Sequence, residues 1–178
     1  IGRRFEARER FALCYLDLDN LKAYNDHYGY AKADGVVQQT GDLLREVVAG
    51  EPGGFLGHVA GDDFVFLVPI EQVEPVCQEI VDGFDRVIPL YYDAEDRRRG
   101  YIDAEDRFGQ LRHFPIMSVS VAAVINDGCF KDHTELSRAA AELKKRAKQT
   151  AGSKFVRSDR EQVFPSRTRS TPVVLPEL

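Results

Sequence analysis

The chain has 178 residues, 43% of them hydrophobic and 30% charged, with a formal net charge of −5. That length suits one domain with a real core, and the acidic balance excludes a general nucleic-acid-binding surface, which would be basic. No apolar stretch approaches the ~20 residues of a membrane span, so membrane contact by this domain is not expected.

A nucleotide substrate is still compatible with this charge, because a divalent metal neutralises both sides locally. Cys14, Cys77 and Cys129 are odd in number and widely spaced, which matches neither a disulfide framework nor a zinc pattern. Cys14 and Cys77 lie in apolar stretches and read as buried thiols, and a cytoplasmic location is expected. The chain opens on Ile1 and reads as a piece excised from a longer protein.

Residues 1–10 are charged and read as the end of a helix. Phe11 to Leu16 is a nearly continuous apolar stretch, hence a buried strand. Asp19 or Asn20 then caps a short helix over Leu21 to Asp26. After a turn at Tyr28-Gly29-Tyr30, a long helix opens at Lys32. It carries Val36, Val37, Leu43, Leu44, Val47 and Val48 on one face and stops at Gly50-Glu51-Pro52-Gly53-Gly54. Phe55 to Val59 and Phe64 to Pro69 form a hairpin around Ala60-Gly61-Asp62-Asp63. A second helix covers about Glu71 to Ile88.

Residues 91–113 are highly charged and read as an exposed two-stranded excursion, with Arg97-Arg98-Arg99 as a solvated loop. Within them Asp-Ala-Glu-Asp-Arg occurs twice, at 93–97 and 103–107, too closely spaced for a structural repeat. Phe114 to Ile125 is a strong β segment, with Met117, Val119, Val121 and Ala123 alternating against Ser118 and Ser120. Asp132 to Thr150 is a helix with Leu136, Ala140, Leu143 and Ala147 facing inward. Lys154 to Arg157 is a last short strand, and residues 158–178 read as a tail. The order predicts an α+β fold: a mostly antiparallel five-stranded sheet flanked by helices, on the ferredoxin-like βαββαβ plan.

Two acid pairs end these elements. Asp17-Leu18-Asp19 closes the first strand, and Asp62-Asp63 sits on the hairpin tip, beside that end if the two strands are sheet neighbours. Mg²⁺ takes oxygen ligands, and two metals about 3.5–4 Å apart can activate a hydroxyl and stabilise a leaving pyrophosphate. Asp17, Asp19, Asp62 and Asp63 supply enough carboxylates for that, and Lys22 would point to the same end. Asn25 and Asp34 follow. An aspartate suits guanine, whose N1–H and exocyclic amine both donate, whereas adenine offers no donor at those positions.

Each feature also has a plainer explanation. Asp62 and Asp63 alone suit a turn, Asp19 suits a helix cap, and Lys148 ends a basic stretch, Lys144-Lys145-Arg146-Ala147-Lys148, that favours the helix dipole. The four histidines do not cluster in sequence. Strand-Asp-x-Asp also opens phosphatases of the haloacid dehalogenase type. Those need a Rossmann-like alternation and a Thr or Val where this chain has Leu21.

Together, Asp17-Leu18-Asp19-Asn20-Leu21-Lys22-Ala23-Tyr24-Asn25-Asp26-His27-Tyr28-Gly29, Ala33-Asp34-Gly35-Val36 and Ala60-Gly61-Asp62-Asp63-Phe64 resemble the GGDEF family of diguanylate cyclases. The resemblance covers roughly residues 5–157, with 1–157 as the domain. Such enzymes condense two GTP molecules into cyclic di-GMP and pyrophosphate. The resemblance implies that Asp17 and Asp62, with the Leu18 carbonyl, hold Mg²⁺ or Mn²⁺. It implies a catalytic role for Asp62 and for Asp63, which helps activate the 3′-hydroxyl. Asn25 and Asp34 read guanine, while Lys22, Ala60, Gly61 and Lys148 serve the phosphates. It further implies turnover by a homodimer, under the control of upstream sensory or regulatory domains.

Four departures stand out. Ala60 replaces the first glycine of the signature, and Asp63 replaces a glutamate. The family's Lys-x-x-Gly-Arg becomes Lys148-Gln149-Thr150-Ala151-Gly152-Ser153-Lys154, leaving Lys154 as the residue available for the missing arginine's phosphate contact. Glu51-Pro52-Gly53-Gly54 stands in place of the Arg-x-x-Asp product-inhibition site, so feedback there is not expected. These departures motivate an alternative: a catalytically impaired module that binds GTP and regulates an attached signalling domain.

Overall fold

In a computed structural model, residues 2–106, 108–158 and 163–165 are described. Phe11–Asp19 forms the central strand, β1. It runs three residues past its expected end because its ladder to the strand Ser118–Asn126 continues as far as Asp19 opposite Ser118. Around it lie the helices Gly2–Glu6 (α1), Leu21–Tyr28 (α2), Tyr30–Ala49 (α3) and Val73–Val87 (α4), and the hairpin strands Phe55–Ala60 (β2) and Asp63–Val68 (β3). Ala94–Arg99 (α5), Tyr101–Glu105 (β4) and Leu111–Pro115 (β5) follow, then Ser118–Asn126 (β6), His133–Ala147 (α6), Lys154–Arg157 (β7) and Val163–Pro165 (β8).

The main sheet has the order β2-β3-β1-β6-β7-β8, antiparallel except for the β6–β7 pair. Five of its strands are the expected ones. The sixth, Val163–Pro165, lies in the stretch expected as a tail, whose other residues from 159 onward fall outside the described ones. Among the described residues no helix is long and apolar enough to cross a membrane.

Strand alternation sorts the core into two layers. Ala12, Cys14, Leu16 and Leu18 of β1, with Phe64, Phe66 and Val68 of β3, face a cluster shared with Val36 and Leu44 of α3 and Val76, Cys77 and Ile80 of α4. Phe11 and Leu13, with Val65 and Leu67, face the opposite layer under α6, against Leu136, Ala140, Leu143 and Ala147. In β6 every residue is buried, the serines included, because helices cover both faces. The polar alternation read from sequence therefore does not mark a solvent face. Cys14 and Cys77 are buried free thiols, as expected, and Cys129 is exposed.

The expected cap of α2 is not made. Asn20 stands at the N-cap in a left-handed conformation, φ 67°, without a side-chain cap bond. Asp19 stays in β1, where its carboxylate accepts hydrogen bonds from the Ser118 and Ser120 hydroxyls at 2.9 and 2.7 Å. By contrast, Asp132 does cap α6, accepting from the backbone N–H groups of Thr134 and Glu135, both at 2.8 Å.

Where α3 meets β2, the glycines are sterically required. A Cβ on Gly54 would lie 2.2 Å from the Val48 carbonyl oxygen, a backbone atom that cannot swing aside. An aspartate at position 54 would therefore require the end of α3 to move. Gly54→Ala is expected to destabilise the domain by about 3 kcal/mol, the upper end of overpacking costs, in denaturant unfolding.

Residues 91–113 are only half of what their charge suggested. The second half is the β4–β5 hairpin, but the first is the helix α5, and Tyr92, Asp96, Ile102 and Ala104 are buried. Asp96 is the hub. It accepts from the Tyr28 hydroxyl and pairs with Arg99 at 2.8 Å and with His27 at 3.2 Å, fastening the insert to α2. His27 and His113 also converge on Asp103, at 2.9 Å to its carbonyl and 2.5 Å to its carboxylate, a meeting that the sequence spacing did not reveal.

Burial raises the pKa of Asp96, but Tyr28, Arg99 and His27 outweigh it and hold the carboxyl below its ordinary 3.8. A depressed carboxylate contributes stability above its unfolded pKa, and that contribution is lost as the pH falls through the folded value. Asp96→Ala is expected to cost about 2–3 kcal/mol at neutral pH and progressively less as the pH falls below the ordinary carboxyl value of 3.8, read from urea unfolding across that range.

Candidate functional site

The hairpin tip holds two residues between its strands, Gly61 and Asp62, with Gly61 at φ +52°, in the left-handed region that glycine adopts without strain. His58 braces the tip. Its Nε2 lies 2.9 Å from the Gly61 carbonyl oxygen, and its ring stacks on Phe64 with centroids 4.5 Å apart. Ala60 ends β2 opposite Asp63, after a break in register between His58 and Ala60. The Ala60 methyl group is exposed at the tip rather than wedged into the fold.

Pairing of β1 with β3 sets Asp17 directly across from Asp63, and the Leu18 N–H donates to the Asp62 carbonyl at 3.3 Å. Strand alternation carries this further. Asp17 and Asp19 continue the face of Phe11 and Leu13, the layer that α6 covers, so the acid end of β1 lies beneath the C-terminal turns of α6. One carboxylate oxygen from each of Asp17, Asp62 and Asp63 lies within 4.8 Å of the others. Asp17 is buried, and the other two are partly exposed. Three convergent hard oxygen donors, two of them on partly exposed residues, are the donor set a divalent cation such as Mg²⁺ or Mn²⁺ takes.

Two lysines of α6 close the site. Lys148 pairs with Asp17 Oδ1, and Lys144 lies 2.7 Å from Asp17 Oδ2 while donating to Asp63 Oδ1. Burial disfavours charge on Lys144, but the two carboxylates outweigh it and raise its pKa above the ordinary lysine value. Lys148 was named from the sequence; Lys144 was read only as part of a basic helix end. The signal that could have found it is its i, i+4 spacing to Lys148, which puts both on one helix face.

Lys154 is displaced from the role the sequence left open to it. It is 2% exposed, and its ammonium donates to the carbonyls of Thr150 and Gly152, the latter at 2.6 Å, with Asp19 at 3.9 Å. Burial lowers its pKa, Asp19 opposes that, and Lys148 adds to it. It ties the loop between α6 and β7 from beneath, turned away from solvent.

The remaining predicted residues are spread around this centre. Lys22 pairs with Asp26 one turn on in its own exposed helix face. Asn25, in α2, keeps a buried side-chain oxygen that has no hydrogen-bond partner. Asp34, exposed on α3, lines a groove with Val37, Gly41, Leu56, His58 and Phe64, between α3 and the hairpin. The groove therefore shares the His58–Phe64 wall with the tip that carries Asp62 and Asp63. Asn25 lies outside the lining of this groove.

Comparison with known proteins gives a consistent pattern. A family model described as "Diguanylate cyclase, GGDEF domain" matches residues 2–91. The chain is 35% identical over 85 residues to the diguanylate cyclase DgcS of Shewanella oneidensis, covering 47% of this chain and 28% of that protein. It is 32% identical over 95 residues to the diguanylate cyclase DgcN of Escherichia coli, covering 51% and 22%. The matched stretch is thus less than a third of either relative's own length. In fold it resembles the GGDEF domain of DgcB from Caulobacter crescentus in complex with c-di-GMP, at a TM-score of 0.61 and 17% identity over 89% of this chain and 83% of that one. It also resembles the active GGEEF domain of a diguanylate cyclase from Vibrio cholerae, at a TM-score of 0.59 and 17% identity over 88% of each.

Proposed function

With the chain a member of the GGDEF, diguanylate cyclase family, we propose that it joins two GTP molecules into cyclic di-GMP with release of pyrophosphate. The observation that carries this reading is the convergence of Asp17, Asp62 and Asp63 beside a groove that holds Asp34.

In this reading Asp17 and Asp62 hold a divalent ion, with the Leu18 carbonyl close by at the end of β1. When bound, such an ion polarises the α-phosphate and neutralises charge on the departing pyrophosphate. Asp63 accepts the proton of the GTP 3′-hydroxyl. The freed oxygen bonds to the α-phosphorus of the second GTP as the bond to its pyrophosphate breaks. Lys148 and Lys22 meet the triphosphate, and the backbone at Ala60 and Gly61 lies against it, which the exposed Ala60 methyl does not block. Asp34 accepts from the guanine N1–H and amine, and the unpartnered oxygen of Asn25 supplies a further polar contact to the base.

The same step then runs in the opposite direction, the second GTP's 3′-oxygen attacking the first α-phosphorus and expelling a second pyrophosphate. Each chain holds one GTP, so two chains face one another and the working unit is a homodimer. A GTP substrate places the domain in the cytoplasm, and an attached sensory or regulatory domain would govern the pairing. The test is concentrated protein with GTP and Mg²⁺, followed by chromatography for cyclic di-GMP. Product that rises with the square of protein concentration is expected at low occupancy of the dimer. GTP binding without product under dimerising conditions overturns the catalytic reading.

A further inference from the structure

The cation between Asp17 and Asp63 is a residue of the chain itself. Lys144 Nζ lies 2.7 Å from Asp17 Oδ2 and also contacts Asp63 Oδ1, and these are two of the three residues whose oxygens converge. Its helix is fixed. Asp132 caps one end of α6, and Leu136, Ala140, Leu143 and Ala147 bury its inner face, so the Lys144 backbone is held over the end of β1. The side chain is 21% exposed and has solvent to move into. Lys148, one turn later, holds the other oxygen of Asp17.

We propose that the Lys144 ammonium is the resident cation of this site, which a divalent metal must displace in order to bind. Two aspartates set opposite each other on neighbouring strands repel, and a cation between them relieves that repulsion. Lys144 therefore keeps the acid pair folded in the absence of metal. The same contact makes metal binding a replacement, and the apparent affinity carries the cost of moving Lys144 away. The chain's own lysine thereby sets the metal concentration at which the site fills. This inference rests on the metal-site reading above.

The test is Mn²⁺ binding without nucleotide, followed by electron paramagnetic resonance and by calorimetry, in the unaltered chain and in Lys144→Met, Lys144→Arg and Asp17→Asn. Lys144→Met is expected to bind Mn²⁺ at least about tenfold more tightly, because a competing unit charge at contact distance is gone. Its metal-free melting temperature falls below that of the unaltered chain and rises further on adding Mn²⁺. Lys144→Arg keeps the charge and binds as weakly as the unaltered chain, and it carries the comparison if the methionine variant fails to fold. Equal affinity in the unaltered and Lys144→Met chains, lost in Asp17→Asn, overturns the resident-cation role and leaves the metal site standing. No binding in any of the chains overturns both.

Discussion

Asp17→Asn is expected to abolish product formation while leaving most of the fold in place. Turnover of GTP should fall by a factor on the order of 10³, because the carboxylate at the centre of the site anchors the metal ligand set. The substitution keeps the size of the side chain, so the loss is electrostatic. Asp17 is only 3% exposed and carries both Lys144 and Lys148. A neutral amide there strands two ammonium groups against one remaining partner, Asp63. Removing one member of a buried ion pair costs roughly 3–5 kcal/mol, and the exposure of Lys148 brings the expected loss of stability to about 2 kcal/mol. Product assays and chemical unfolding on the same preparation separate the two effects. Retained turnover with full Mg²⁺ dependence would remove Asp17 from the metal site.

Asp34→Ala is expected to act on recognition instead. Asp34 stands exposed on α3, so stability should change little. GTP affinity should fall by about 10–100-fold, the worth of hydrogen bonds from guanine to a charged acceptor. Calorimetry with GTP, ITP and ATP resolves the origin of the loss. ITP keeps N1–H but lacks the exocyclic amine, so the unaltered chain should bind it at an intermediate level, and the variant should bind all three alike. Unchanged GTP affinity would remove the guanine-reading assignment. Together the two substitutions divide the site, one failing at chemistry and the other at choice of base.

Much of the fold could be read from the chain alone. Phe11 to Leu16 is apolar without a break because β1 lies between β3 and β6 with helices on both faces, and such strands show no alternation. The α4 and α6 faces followed from helical spacing, and the hairpin from its glycine and flanking apolar strands. The acid centre was legible for a related reason. A strand ending in Asp17 and a hairpin tip at Asp62-Asp63 meet once the two strands are neighbours, and the register sets Asp17 opposite Asp63.

Other features needed the tertiary structure. Asp-Ala-Glu-Asp-Arg begins the helix α5 in its first copy, whereas in its second, residues 103–105 lie in the strand β4. Identical local sequence cannot decide between these. The first copy turns helical where Asp96 docks on Tyr28, His27 and Arg99, and the second is drawn into pairing with β5. The lysines show the same limit. By sequence Lys154 was the residue available for the missing arginine's phosphate contact, yet it is buried against backbone carbonyls. Lys144, unremarked in a basic stretch, holds the two central carboxylates.

The sequence by itself therefore determined the layers, most of the strands and helices and the meeting of Asp17 with the hairpin acids, because apolar period and turn chemistry act over a few residues. Which cation meets those carboxylates was decided only by the packing of α6 across β1 and β3. That contact joins residues 81 positions apart in the chain, and the i, i+4 spacing of Lys144 and Lys148 tells only that they share a helix face, not what that face meets.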